Sequence, residues 1–551
     1  MRSAAALLSG VATAVIAALV FGWLGHGLGA STARMALAAG VLVAVVVWRF
    51  TPAVPRKRPH SVWEWLMIGA FACASGRAFF WLIYPAGDAW KILSPNNLGD
   101  LSLHLSLIRW LAVSPDWWPA SPILAGDSLR YPPGSDLFNS LLLLSGIPIV
   151  QGLLWCGLGG AALTGYALWR WGGGIALAAL LFNGGLAGVV LLQGGAPDAV
   201  TEWKNLFLSL FVTQRGFLYA LPAGLLLLST WKEETFVQSP RLVLPLPVQG
   251  VLLASLPLFS IHAALVLGVL MCWIFLIVPA SRKRLLVLAA IAFPPMAFFG
   301  WLVTTGAGGP HALHALGWRP GWMSDGTGRF WLWNFGVSLP LGVLCCLMLL
   351  RKGGSPEARA FVWPAALLFV ACLLFRFAPW PWDNTKIMLW PWLITAPYLW
   401  DLLLRPLPTL PRAASIVLLF GSGVLSLGAG LDGRHGYELA RKCDLDRTAK
   451  LLRDLPPSAV VACAPEYNHP VLLSGHPVVC GYEGHLWSHG LDYRARLAAL
   501  DRIMKGEPGW AEQARLLGIS CIYWSELESR RWPASKLPFA RQKGPALHPV
   551  E

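Results

Sequence analysis

The stretch Arg282-Lys283-Arg284, followed by LLVLAAIAFPPMAFFGWLVT (residues 285–304), decides the fold class of this chain. An uncharged apolar run of about 20 residues is long enough to cross the ~30 Å hydrocarbon core of a bilayer. The basic residues in front of it are typical of a cytoplasmic end, because short cytoplasmic loops are enriched in Lys and Arg. The segment therefore predicts a transmembrane helix that begins on the cytoplasmic side.

Comparable apolar runs recur along residues 1–431 and predict an all-α polytopic membrane domain with about 13 transmembrane helices. The predicted spans are 4–29, 35–50, 62–84, 137–169, 174–192, 212–230, 246–261, 263–280, 285–304, 330–350, 361–378, 386–404 and 413–431. The first run is interpreted as a retained helix rather than a signal peptide, since it is long and no clear cleavage site follows.

The basic residues of the loops orient these spans. Those that fall on one side, interpreted as cytoplasmic, are Arg56-Lys57-Arg58, Arg170, Lys232, Arg282-Lys283-Arg284, Arg351-Lys352, Arg405 and Arg412. The N-terminus is then inside and residues 432–551 lie outside. The sequence therefore predicts a multi-pass protein of the cell inner membrane whose C-terminal part is periplasmic or extracellular.

Composition agrees with a membrane protein. The 551 residues have a mean hydropathy of +0.56, and only 13% are charged, whereas soluble domains are nearer about 25% charged. The net charge of +15 does not indicate nucleic-acid binding, because the basic residues sit mostly in short loops as membrane orientation requires. No Walker A, dinucleotide-binding, HExxH or nucleophile-elbow motif is present, so ATP-driven transport and ordinary hydrolysis lack support.

Residues 432–551 read as a small α/β domain. Apolar runs at 459–463, 477–480 and 519–524 predict strands, and helical patterns at 445–454, 493–504 and 509–517 separate them. Helices between strands favour a parallel sheet. Cys463 and Cys480 are compatible with a disulfide outside the membrane or with two buried thiols.

Most of the Asp, His and Trp residues outside the cytoplasmic loops lie in the loops of the opposite face, so function is expected at the outer face. In the outer loop 85–136, residues 99–108 predict an amphipathic helix lying at the membrane surface. Asp100 is either a simple helix cap or a carboxylate facing a cavity as a general base for a hydroxyl. His104 follows one turn later, and Asp88 is a weaker second candidate base.

Two further polar positions interrupt apolar helices. Arg215, in Thr213-Gln214-Arg215-Gly216, is either a snorkelling anchor or an anion ligand. His262 lies where two short spans meet and is either a satisfied hydrogen-bonding residue or a catalytic one.

The strongest constellation is Trp382-Asp383-Asn384-Thr385-Lys386 at the start of a span. Asp383 or Asn384 caps the helix, whose N-terminal N–H groups favour an anion. Lys386 is unfavourable for the helix dipole there, which indicates either a phosphate partner or an ion pair with Asp383.

Two aromatic clusters complete the candidates. Phe330 to Gly336 is typical of an interfacial belt, in which Asn334 is a candidate for lining a cavity. The glycine-rich stretch 481–493, which includes Trp487, suits carbohydrate contact or docking onto the membrane domain.

These motifs resemble the GT-C superfamily, the polytopic glycosyltransferases that use polyprenyl-phosphate-linked sugars, and more narrowly its poorly characterised bacterial and archaeal branch. The resemblance rests on Gly99-Asp100-Leu101 with His104, Gln214-Arg215, Pro257-Leu258-Phe259 before His262, Phe330-Trp331 with Asn334, Trp382-Asp383-Asn384 with Lys386, and Gly481-Tyr482 with Leu486-Trp487-Ser488. It implies an acidic residue in the first large outer loop that acts as the catalytic base, which is Asp100 here with Asp88 as the fallback. It also implies phosphate-binding basic residues, which are Arg215 and Lys386. The adjacent acidic pair of protein-mannosylating members is absent, which leaves the acceptor class open.

The resulting hypothesis is a membrane glycosyltransferase that transfers a hexose or pentose, with inversion, from a polyprenyl-phosphate donor to a glycan, lipid or protein acceptor of the envelope. A divalent cation, Mg²⁺ or Mn²⁺, has no ligand motif in this sequence and stays open as a cofactor. The alternatives are a non-enzymatic transporter or scaffold for envelope glycolipid or polysaccharide assembly, and an inactive relative that only binds lipid. The absence of an internal repeat favours the enzyme over the transporter.

Overall fold

The computed structural model describes residues 1–53, 61–94, 97–195, 202–236, 243–306, 317–318, 328–351, 355–542 and 544–550. The chain is mostly helical, and the strands form three small sheets. The helices of the first half are α1 (Arg2–Gly25), α2 (Ala30–Phe50), α3 (Val62–Phe80), α4 (Leu98–Val113), α5 (Gly134–Leu144), α6 (Ile149–Leu181), α7 (Gly188–Leu192), α8 (Phe217–Phe236), α9 (Leu246–Phe259), α10 (Ile261–Ile277) and α11 (Arg282–Thr305).

The second half continues with shorter elements towards its end. Its helices are α12 (Gly328–Phe335), α13 (Ser338–Leu350), α14 (Pro356–Leu374), α15 (Thr385–Leu399), α16 (Thr409–Gly430), α17 (Lys442–Leu452), α18 (Pro470–Leu473), α19 (Glu483–Ser488), α20 (Arg494–Lys505), α21 (Trp510–Leu516) and α22 (Glu526–Arg531). The strands are β1 (Tyr84–Ala86), β2 (Ala89–Ile92), β3 (Gly317–Trp318), β4 (Phe375–Arg376), β5 (Tyr437–Arg441), β6 (Val460–Ala462), β7 (Ile519–Trp524) and β8 (Ala546–Pro549).

Seven helices among the described residues are long and apolar enough to cross a membrane, or eight if α12 and α13, bent by 87°, form one span. α9 and α10 are apolar but shorter. The predicted count of about 13 spans therefore stays a prediction. The predicted spans 137–169 and 174–192 are wrong in their bounds. The chain forms α5 and then one α6 helix, interrupted at Gly172 and Gly173, where Gly173 has φ 64°.

Small residues bring the first two spans together. A Cβ atom on Gly10 would lie 2.8 Å from the Gly40 carbonyl oxygen, and one on Gly40 would lie 2.5 Å from the Gly10 carbonyl oxygen. Close backbone approach of this kind is how membrane helices pack without a hydrophobic driving force from water.

Charged residues from several predicted cytoplasmic loops meet at one end of the bundle. Arg170 pairs with Glu233, Lys232 lies 2.7 Å from Glu357, and Arg284 lies 2.5 Å from Glu234. The loops that the positive-inside rule placed together are therefore neighbours in space.

The outer loop 85–136 is tied to the C-terminal region through a shared antiparallel sheet of order β1-β2-β5. Further along, the Val478 amide donates to the Pro122 carbonyl at 2.9 Å, and the Gly481 amide donates to the Ile123 carbonyl at 2.8 Å. These bonds seat residues 477–489 against the outer loop.

A helix forms where residues 99–108 predicted one, but the expectation that it has an exposed polar face is wrong. α4 packs against α5, α18 and β5, and its residues 101–108 are all buried, the serines as well as the leucines. The serine hydroxyls bond to carbonyls one turn back, for example Ser102 to Leu98 at 2.8 Å and Ser106 to Ser102 at 2.9 Å. This satisfaction within the helix is what allows a helix with polar residues on several faces to be interior.

In the C-terminal region, β6 and β7 pair in parallel, and β8 joins β7 antiparallel. The predicted strand at 477–480 contributes a single parallel bridge, Val461 to Val478. Cys463 and Cys480 are both buried and free, so of the two alternatives the structure has the thiols.

Candidate active site

A polar cavity of about 280 Å³ lies where the outer loop, the junction of α9 and α10, the end of α11, the start of α15 and the C-terminal region meet. Its charged and polar lining includes His104, Arg130, Tyr131, Asp136, Gln214, His262, Asp383, Lys386 and His489. Segments far apart in sequence thus supply one concave site. Such a convergence of titratable groups in a cavity is typical of a binding or catalytic site.

Asp100 stands in the first turn of α4 and is held from the cavity side. The Gln214 side-chain amide donates to Asp100 Oδ1 at 2.8 Å. The N-cap position of α4 is Asn97, so Asp100 is not merely the cap. Burial raises the pKa of Asp100 above its usual value, while His104 in its protonated form, Lys386 and the Gln214 hydrogen bond oppose that rise. A carboxylate whose pKa lies above its usual value holds a transferred proton more readily.

His104 lies one turn further along α4 and forms a buried pair with Asp136 of α5. Its Nδ1 lies 2.8 Å and 3.0 Å from the two carboxylate oxygens, and both residues are 1% exposed. Its Nε2 has no hydrogen-bond partner among the described residues. The ring therefore has one nitrogen, Nε2, that lies next to the cavity without a hydrogen-bond partner among the described residues.

Arg215 is buried, with 2% exposure, immediately behind the cavity-lining residues Gln214 and Gly216. None of its three guanidinium nitrogens has a hydrogen-bond partner in the described part of the chain. Asp136 and Asp100 are its nearest opposing charges. Full burial is incompatible with a snorkelling anchor. Arg215 interacts electrostatically with the two carboxylates.

Lys386 and Asp383 form an ion pair at the cavity wall, with Lys386 Nζ 2.9 Å from Asp383 Oδ1. Of the two alternatives, the ion pair is therefore present, and both side chains also line the cavity. Lys386 thus remains in position to meet an anion.

Asn384 has a different place. Its amide donates to the Cys372 carbonyl at 2.9 Å and to the Phe375 carbonyl at 2.8 Å, and its oxygen accepts from the Phe377 amide at 3.1 Å. These bonds close the end of α14 and leave Asn384 outside the cavity lining.

His262 joins the polar cavity to a second, apolar one. The apolar groove, of about 700 Å³, runs between α10 and α11 and is lined mainly by side chains such as Leu265, Trp273 and Phe293. Four residues belong to both linings, namely Ile261, His262, Thr304 and Phe377. A cavity lined by several charged side chains, with an apolar groove beside it, fits an amphiphile with a polar head and a long apolar tail.

The C-terminal region closes the cavity from outside. Ser488 and His489 line it, and the His489 ring lies 5.2 Å from the ring of Tyr131. Burial lowers the pKa of His489 to about 3 and that of His485 to about 4, so both are neutral at physiological pH. Of the two alternatives for the stretch 481–493, docking onto the rest of the chain is therefore observed. Trp487 is 45% exposed and points away from the cavity lining.

Two predicted residues lie apart from the cavity. Asp88 sits in the turn between β1 and β2 and lies 3.6 Å from Arg441, and its carboxylate is half exposed. Asn334 accepts from the Glu202 and Trp203 amides at 2.9 Å and 2.8 Å and donates to the Phe330 carbonyl. It thus shapes the loop at 202–203 rather than the cavity.

The donor set does not favour a metal ion. Within the described ranges, no three His, Cys, Asp or Glu side chains are grouped so that they could hold one.

Sequence reasoning missed Asp136 and Tyr131. Asp136 follows Gly134-Ser135 at the start of an apolar run, so an acid at the mouth of a span was a readable signal. Tyr131 belongs to an irregular loop, and no local pattern marks it. Gln214 and His489 lay within quoted motifs, but nothing in their spacing shows that they meet Asp100 and Tyr131.

No known family model and no curated protein sequence matches the chain. Its structure is similar to the oligosaccharyltransferase of Archaeoglobus fulgidus in the apo form, with a TM-score of 0.52 and 12% identity over 88% of this chain and 72% of that one. AglB of the same organism, in complex with an inhibitory peptide and a dolichol-phosphate, has a TM-score of 0.49 and 12% identity over 87% and 72% of the two chains. ArnT of Cupriavidus metallidurans bound to undecaprenyl phosphate has a TM-score of 0.45 and 14% identity over 76% and 86%.

At 12% identity, a likeness of this kind shows a shared fold and leaves the activity to be argued from the site. The chain has the fold of the archaeal oligosaccharyltransferase, so the predicted resemblance is confirmed as a likeness of fold.

Proposed function

We propose that this protein is a membrane glycosyltransferase that moves a sugar from a polyprenyl-phosphate donor to a hydroxyl of an envelope acceptor. The observation that carries the proposal is that a cavity lined by charged side chains lies beside an apolar groove, the two having Ile261, His262, Thr304 and Phe377 in common. A lipid-linked sugar has the same two-part chemistry. Its isoprenoid chain would lie between α10 and α11, and its phosphate and sugar would enter the cavity.

The donor phosphate is proposed to sit near Lys386. Its ammonium group lines the cavity and is partly balanced by Asp383. An incoming phosphate would therefore contact an ammonium group that already has one carboxylate partner. Arg215 lies behind Gln214, and its guanidinium N–H groups have no hydrogen-bond partner among the described residues. Its charge adds positive potential from deeper in the protein. Such charges stabilise the lipid phosphate as it leaves.

Asp100 is the proposed general base. The acceptor hydroxyl attacks the anomeric carbon, the bond from that carbon to the phosphate oxygen breaks, and the hydroxyl proton passes to Asp100. The lipid phosphate departs with the bonding electron pair. A single displacement inverts the anomeric centre. Gln214 supports the ionised form of Asp100, because its amide donates to the carboxylate.

Residues 432–551 are proposed to be a small extracytoplasmic α/β domain that covers the site, next to a membrane domain of residues 1–431. The shared sheet β1-β2-β5 and the contact of His489 with Tyr131 support this arrangement. The orientation proposed from the basic loops puts the cavity at the outer face of the inner membrane.

The test is transfer by purified protein in lipid nanodiscs. Radiolabelled polyprenyl-phosphate hexoses and pentoses would be offered together with acceptors from a native membrane extract. We expect label to move from the lipid to an acceptor. Saturable binding of the lipid-linked sugars without any transfer, across the whole panel, would contradict the enzyme and favour a carrier or scaffold.

A further inference from the structure

His104 and Asp136 form a buried pair whose geometry limits the role of each ring nitrogen. A carboxylate only accepts, so His104 Nδ1 donates to the Asp136 oxygens at 2.8 Å and 3.0 Å. In the neutral ring, Nε2 is then an acceptor. That nitrogen is buried without a partner among the described residues, and His104 lines the cavity. A carboxylate holds one nitrogen of this ring, and the other nitrogen has no hydrogen-bond partner. Such a ring is arranged to take up a proton on the second nitrogen.

Asp100 lies four residues before His104 on α4, so the two side chains share a helix face. They also interact electrostatically. If Asp100 receives the acceptor proton, as proposed above, it must release that proton before the next turnover. Asp100 has Gln214 as its hydrogen-bond partner, and an amide N–H cannot accept a proton.

We propose that His104, held by Asp136, is a proton relay that returns Asp100 to its ionised state after each sugar transfer. The inference rests on the proposed function. The proton moves from the Asp100 carboxyl to His104 Nε2, directly or through one water. Asp136 stabilises the imidazolium that forms, and the proton then leaves His104 for water in the cavity. No other bond forms or breaks, and Asp136 itself stays ionised.

The surroundings of the pair suit a transient charge. Arg215 lies near Asp136 and Asp100 and balances their charges. Tyr131 stands edge-on to the His104 ring with centroids 6.0 Å apart, and the His489 ring lies on the other side at a tilt, 5.2 Å from Tyr131. Lys386 and Asp383 complete the charged groups of this wall. A purely structural role for the pair would need neither an unspent Nε2 nor a place in the cavity lining.

The relay is tested by separating the first turnover from the following ones in a rapid-quench experiment with radiolabelled donor. In His104→Gln and in Asp136→Asn we expect a first turnover of normal amplitude, close to one product per enzyme, and a steady-state rate that falls by about 10²-fold. Imidazole added to a His104→Gly variant is expected to restore part of the steady-state rate. Asp100→Asn is expected to lose both phases.

The matched control is His469→Gln, which alters a second buried histidine–carboxylate pair that lies outside the cavity lining. It is expected to keep both phases. Equal losses of the first turnover and the steady state in His104→Gln and Asp136→Asn, with no rescue by imidazole, would overturn the relay. So would steady-state rates equal to wild type. Absence of any transfer by the wild-type protein overturns the proposed function itself, and the relay with it.

Discussion

Two buried histidine–carboxylate pairs in this chain have nearly the same geometry and different surroundings. His104 lies 2.8 Å from Asp136 between α4 and α5, and His469 lies 2.9 Å from Glu528 in the C-terminal region. All four side chains are at most 2% exposed. What differs is how many of their hydrogen-bonding atoms are already used.

The C-terminal pair is saturated. His469 Nε2 donates to Glu528, and its Nδ1 accepts from the Val471 amide at 3.2 Å. Glu528 also accepts from the Ala464 amide at 2.9 Å and from the Ser525 amide at 2.8 Å. In the cavity pair, His104 Nε2 stays unspent. A saturated polar network specifies a fold, whereas one with an open acceptor beside a cavity is available for chemistry.

The largest expected effect on stability lies in the saturated pair. Glu528→Ala leaves His469 and two backbone amides buried without their acceptor, and we expect the C-terminal region to lose about 3–5 kcal/mol of unfolding free energy. Denaturant unfolding checks this. Glu526→Ala on the same helix α22 is the matched control, since Glu526 is 79% exposed and pairs only with Arg530 at the surface. Equal stability of the two variants would remove the distinction between the pairs.

The next largest effect concerns donor binding. Lys386→Met removes the cavity ammonium group and leaves Asp383 without its partner, so we expect the KM for the lipid-linked donor to rise about tenfold, as the loss of one charge-assisted contact implies. Steady-state kinetics in nanodiscs measure this. A fall in kcat with unchanged KM would instead place Lys386 in the chemical step and away from donor binding.

A smaller effect, a shift in the pH dependence of kcat/KM, is expected from Gln214→Leu. Burial raises the pKa of Asp100, and the Gln214 amide opposes that rise by bonding to the ionised form. Without that bond the pKa of Asp100 rises further. The acid limb of the kcat/KM profile should then move to higher pH, with the rate preserved on the alkaline side. A uniform loss at every pH would show that Gln214 acts on something other than the charge of Asp100.

The smallest effect is a pH dependence of the saturated pair. Burial by itself raises the pKa of Glu528, but His469, Ser525 and the Ala464 amide together hold it below its usual value. A depressed carboxyl pKa in the folded state contributes stability above the unfolded value of about 4.3 that is lost as pH falls below it.

Hydrogen exchange of β7, corrected for the intrinsic pH dependence, should therefore show weaker protection below about pH 4. The effect should be absent in Glu528→Gln, which cannot ionise. If protection in the wild type stayed constant as the pH fell below about 4, the lowered pKa of Glu528 would be contradicted.

The membrane architecture was readable from the sequence because hydropathy is a local property. Runs such as 285–304 need only their own composition to be recognised, and α11 covers that segment as expected. The breaks were less readable. Gly172 and Gly173 interrupt α6, but their role depends on packing, since a Cβ on Gly172 would lie 2.2 Å from Pro397.

The site was readable in part. Asp100, Lys386 and His262 were predicted because polar groups in apolar segments are costly. Lys386 and His262 line the cavity, and Asp100 bonds to the lining residue Gln214. The predicted surface helix failed because α4 is covered by β5 and α18, which lie more than 300 residues away in sequence. Likewise, only the tertiary fold shows that Gln214 bonds to Asp100 and that the Asn384 side chain bonds to a backbone carbonyl at the end of α14.

The most direct test of the central claim compares transfer by the wild type, Asp100→Asn and Asp88→Asn with one active lipid-linked sugar. Both variants remove a carboxylate from the outer loop, but only Asp100 is held by a residue of the cavity lining, whereas Asp88 is exposed in a hairpin turn. We expect Asp100→Asn to lose about 10²- to 10⁴-fold in turnover with donor binding retained, and Asp88→Asn to match the wild type. Wild-type turnover in Asp100→Asn would contradict the account.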